Sequence, residues 1–76
     1  MDETHVKAYL IQHDQEFRKL AEEHRAFESQ LQALQQKPHL NEQDQVQQTI
    51  IKKRKLALKD QMQVMISRYQ TEHQTP

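Results

Sequence analysis

The residues of this chain that most invite a chemical reading are five histidines, a cluster of cations and two serines. Cysteine is absent, so no thiolate nucleophile, disulfide or cysteine-ligated metal is available. His5, His13, His24, His39 and His73 never stand three or four residues apart, so no two of them share a helix face at chelating distance and no metal is expected. His24 and Glu28 lie one helical turn apart and read as a histidine hydrogen-bonded to a carboxylate at the edge of a buried seam. Ser29 and Ser67 have no base placed to activate them. With no glycine in the chain, the usual residue of an oxyanion nest or phosphate loop is also missing. The sequence is read as non-catalytic, with no cofactor and no small-molecule substrate.

The cations Lys52, Lys53, Arg54, Lys55 and Lys59 raise a different possibility, neutralisation of phosphates on a nucleic acid or another polyanion. Four consecutive helical residues, however, fan out by about 100° each and wrap a helix instead of lining one groove-sized face. No aromatic residues are interleaved for base stacking, and the formal net charge is zero. The main reading is a solvated basic band answering Glu22, Glu23 and Glu28 on a facing helix. Polyanion association through Lys52 to Lys59 stands as the alternative function.

The elements that position these residues follow from periodicity. Val6, Leu10, His13, Phe17, Leu20, His24, Phe27, Leu31 and Leu34 alternate steps of four and three, a heptad stripe that predicts one long amphipathic helix over residues 4–36. Asp2 or Thr4 would cap its start. Pro38 removes an amide donor and disfavours helical geometry at Lys37, which places a turn at 37–41. Asn41 can then accept from the amide of Gln43 or Asp44 and restart a helix over 42–71, with residues 72–76 as a frayed tail.

The second helix carries Ile51, Leu58, Met62, Met65 and Tyr69 on one stripe, with Lys55 in the remaining position. Folding at the turn brings Phe27 to Ile51, Leu20 to Leu58, Phe17 to Met62, His13 to Met65 and Leu10 to Tyr69, with His24 facing Arg54 or Lys55. The expected fold is all-α, an antiparallel two-helix hairpin of coiled-coil type. Charge agrees, since residues 1–36 hold seven acidic and four basic side chains and residues 37–76 hold four acidic and seven basic. If His13 and His24 are buried on this seam, they resist protonation, and acidification weakens the hairpin.

A hairpin of 76 residues buries little, so extra burial is expected from self-association, such as dimerisation into a four-helix bundle, or from docking on a partner protein. Ile11, Val46, Ile50, Val64 and Ile66 fall off the seam and form the candidate partner surface; Met62 and Met65 are adaptable core residues. The longest apolar run is Tyr9-Leu10-Ile11, far short of a signal segment or membrane span, so a cytoplasmic protein without membrane contact is expected.

Three stretches carry a family resemblance. Phe17-x-x-Leu20-x-x-x-His24-x-x-Phe27-x-x-x-Leu31, Pro38-His39-Leu40-Asn41-Glu42-Gln43 and Ile51 to Met62 together resemble the YdcH-like family, small bacterial proteins known as a domain of unknown function. The segment Lys55-Leu56-Ala57-Leu58-Lys59-Asp60 is the most specific of these, and the resemblance covers residues 10–69. Ile51 stands where such a segment usually has leucine, and Gln61 where an acidic residue often sits. The resemblance implies a helical hairpin and carries over no catalytic residue, cofactor or partner.

Overall fold

The computed structural model describes residues 2–73 as three helices, α1 (Glu3–His13), α2 (Gln15–Gln35) and α3 (Glu42–Glu72), with no strand among the described residues. The all-α class holds, but the two-helix hairpin does not. The single long helix expected over 4–36 is broken at Asp14, whose backbone is extended (φ −124°, ψ 112°). Asp14 serves both sides of the break. Its amide donates to the Leu10 carbonyl at 2.8 Å, closing α1, and its carboxylate accepts from the Phe17 amide at 3.0 Å, opening α2. Arg18 staples the joint, its Nε and Nη2 donating to the carbonyls of Ile11 and Gln12 at 2.8 and 2.9 Å.

The other termini follow from their capping residues. Asp2 opens α1 by accepting from the His5 amide at 2.8 Å. At α3, the Asn41 side chain accepts from the Asp44 amide at 2.7 Å, while Asp44 accepts from the Asn41 amide at 3.3 Å, a reciprocal capping box. Lys37, across the Pro38 turn, donates to Asp44 at 3.0 Å and ties the end of α2 to the start of α3. The last helix runs through Glu72, one residue past its expected end, with His73 as its cap; of the tail foreseen as frayed, residues 74–76 lie outside the described part.

The helices assemble into a rod of 54 × 19 × 17 Å, with α1 in contact with both α2 and α3. Among the described residues the buried side chains are all apolar: Val6, Leu10, Phe17, Leu31, Ile51, Leu58 and Ile66. Leu20, His24, Phe27, Leu34, Met62, Met65 and Tyr69 are half-buried along the same seam. Val6, Leu10, Phe17 and Ile66 form one cluster, with Met62, Met65 and Tyr69 packed against it.

Two seam expectations are corrected by the break at Asp14. His13, placed on the buried seam, is exposed at the C-terminal end of α1, so the burial invoked for its pH sensitivity is absent there. Ile66, placed on the exposed partner surface, is only 1% accessible because Val6, Leu10 and Phe17 gather over it.

Replacing Asp14 with Ala removes one side-chain cap, an effect of about 0.5–2 kcal/mol, and each kcal/mol shifts the melting point of a domain this size by roughly 4–8 °C. Circular dichroism melts should show that loss for Asp14→Ala and almost none for Gln15→Ala. Equal melting points would mean that the cap does not hold the joint.

A second expectation concerns acid. Hydrogen bonding from Lys37, reinforced by the Asn41 amide and opposed by partial desolvation, holds the Asp44 carboxyl below the usual carboxylate range; the His5 amide does the same for Asp2. Because the folded values are lowered, these contributions are complete above the ordinary carboxylate range and disappear as pH falls through the lowered values. An NMR titration of Lys37→Met should move the Asp44 midpoint up towards the ordinary value. An unmoved midpoint would remove the ammonium as the cause.

Candidate interaction surface

The five clustered cations of α3, Lys52 to Lys55 and Lys59, do not act as one band. Lys52, Lys55 and Lys59, spaced three and four apart, face a common groove of about 550 Å³ between the helices. Glu3 and Lys7 of α1 and His24 and Glu28 of α2 share its walls, and Leu56, Met62 and Ile66 supply its apolar surface. Arg54 instead lies over the Phe27 ring, 5.9 Å from its centroid, a cation–π contact that joins α3 to α2. Lys53 lies on the outward side of α3, away from the groove. A polyanion would therefore meet three lysines of α3 and Lys7, the last paired with Glu3, beside two carboxylates instead of five converging charges.

The expected pairing of the basic band with Glu22, Glu23 and Glu28 does not take the form of ion pairs. Among the described residues the ion pairs are His5–Asp2, Lys7–Glu3 and Lys37–Asp44, and none joins the body of α2 to that of α3. Opposite charge on the two halves acts as a diffuse attraction across the seam.

The histidines are also dispersed. His13 stacks on Tyr9 at 4.2 Å between centroids, Tyr9 lies 5.0 Å from Tyr69, and Tyr69 stacks on His73 at 4.1 Å, forming a ladder of four rings at one end of the rod. His24 lines the groove already described. No group of three or more His, Cys, Asp or Glu side chains gathers as a metal site among the described residues.

The outward face of α3 holds most of the candidate partner surface. Val46, Ile50 and Val64 are 60%, 40% and 56% exposed, and Ile11 on α1 is also exposed. At about 100° per residue, Val46, Ile50, Ala57 and Val64 fall within about 40° of one another and lie roughly 120° round the helix from Ile51, Leu58 and Tyr69. Leu56, 60% exposed, was missed by the sequence reading. Its signal was present, because two residues from the buried Leu58 means about 200° of rotation, which puts one of the pair outside. No helix among the described residues is long and apolar enough to cross a membrane.

Since Glu3 and Glu28 share the groove with its lysines and Arg54 is engaged by Phe27, the chain should pass through a heparin column at about 0.15 M salt. Retention above that salt, lost in the K52E/K55E/K59E variant, would instead establish polyanion binding.

A sequence family described as "Protein of unknown function (DUF465)" matches residues 17–66, from the buried Phe17 of α2 to the buried Ile66 of α3. The match agrees with the resemblance read from the Phe17, Pro38 and Lys55 motifs, and α1 lies N-terminal to it. Neither the curated proteins nor the solved structures contain a match to this chain.

Proposed function

Because this chain belongs to the DUF465 family, described only as proteins of unknown function, it inherits no activity, and we propose that it is a non-catalytic helical interaction module. Its working surface is the outward stripe of α3. One observation carries this reading: Val46, Ile50 and Val64 are large, exposed and in phase. They recur along about 27 Å of one helix face, at 1.5 Å per residue. Scattered apolar residues on a surface need no explanation, but apolar residues aligned on one face have the pattern by which one helix packs on another. A chain without cysteine suits the reducing cytoplasm, where this reading places it.

A photo-crosslinking residue at position 64, introduced in the cells that make the chain, should give discrete protein adducts. The same residue at position 32, on the exposed surface of α2, should give none. A folded chain without adducts at position 64 would overturn the proposal.

A further inference from the structure

We infer that the occupant of this stripe is a second copy of the chain, whose α3 packs antiparallel across a two-fold axis at Ala57. The inference rests on the reading of the stripe as an interaction surface and goes further by naming the partner. A two-fold interface requires a surface complementary to its own inverse. The outward face of α3 has this property about Ala57.

Ile50 stands seven residues before Ala57 and Val64 seven after, so an antiparallel copy sets Ile50 against Val64 twice. Lys53 stands four before and Asp60 three after, so each Lys53 meets Asp60 of the second copy, also twice. Among the described residues, neither Lys53 nor Asp60 has an ion-pair partner within its own chain. Val46 and Arg68, eleven residues to either side, complete the set, with the arginine stem covering the valine.

The same residues select against other arrangements. A parallel pairing would set Lys53 against Lys53 and Asp60 against Asp60, so charge chooses the antiparallel direction. At the axis, Ala57 presents a side chain small enough for two helices to approach to about 8 Å, the close end of helix packing. One stripe from each copy is a small interface, below the roughly 800 Å² per partner of stable complexes, so the dimer is weak and depends on concentration. Packing α3 on α3 places the two α3 helices at the centre of a six-helix arrangement, with α1 and α2 of each copy outside them.

The test uses the full chain. Sedimentation equilibrium from about 10 µM to 1 mM, the range where interfaces of this size associate, should show the average mass rising from 9.2 kDa towards twice that value. Lys53→Glu should weaken association at least tenfold, and K53E/D60K should restore it. Since the chain has no cysteine, Ala57→Cys provides a single thiol at the axis. It should form a disulfide dimer at least ten times faster than Leu56→Cys, which is exposed but off the axis. Circular dichroism checks that each variant remains helical.

A chain monomeric to 1 mM, or equal cross-linking from the two cysteine variants, overturns self-pairing. If a monomeric chain still gives adducts at position 64, the stripe binds a different protein and the interaction reading survives alone. A monomer without adducts ends both.

Discussion

Phe17 loses all contact with solvent because three helices meet over it, and the rest of the architecture depends on that burial. Ile51 and Leu31 are buried outside the cluster around Phe17, whereas Phe17 is covered from α1 and α3 together. The extended residue at Asp14 makes this possible. It frees α1 from the path of α2, so that Val6 and Leu10 close on Phe17 and Ile66 while Met62, Met65 and Tyr69 pack beside them. The loss of three helical hydrogen bonds, from the amides of Gln15, Glu16 and Phe17, is offset in part, because Asp14 caps in both directions and Arg18 takes up two of the freed carbonyls.

Polar groups in this protein cap and join helix ends, while apolar side chains hold the helices together. Among the described residues the buried side chains are wholly apolar, and the halves of the chain carry opposite net charge without an ion pair joining the bodies of α2 and α3. Exposed pairs are worth only a few tenths of a kcal/mol in any case, about 0.2–1. The short turn between Gln35 and Glu42 forces the antiparallel direction, while packing sets the register. Arg54 over Phe27 contributes charge to the band and a flat contact to the seam.

The same economy explains why α3 has two faces. One is committed to α1 and α2, whereas the other keeps aligned apolar residues in water, and on that alignment the proposed interaction rests. The groove on its flank is different in kind. There Leu56, Met62 and Ile66 lie among cations and carboxylates that already share one small volume, so the field they present is mixed. Membership of a family of unknown function assigns neither surface a role.

Period and punctuation were legible from the residues alone. The four-and-three stripe from Val6 to Leu34 and from Ile51 to Tyr69, the stop at Pro38 and the start at Asn41 determined helices, a turn and an antiparallel return, because each depends on local geometry. The outward positions of Val46, Ile50 and Val64 followed from the same 100° step. Only the tertiary structure decided that Asp14 is a joint, since the stripe counts on across it and an aspartate is tolerated in a helix as well as at its end. That joint then moved His13 out and Ile66 in. Whether a residue on the flank of a helix is covered depends on a third element's position, which is a long-range fact that no local repeat encodes.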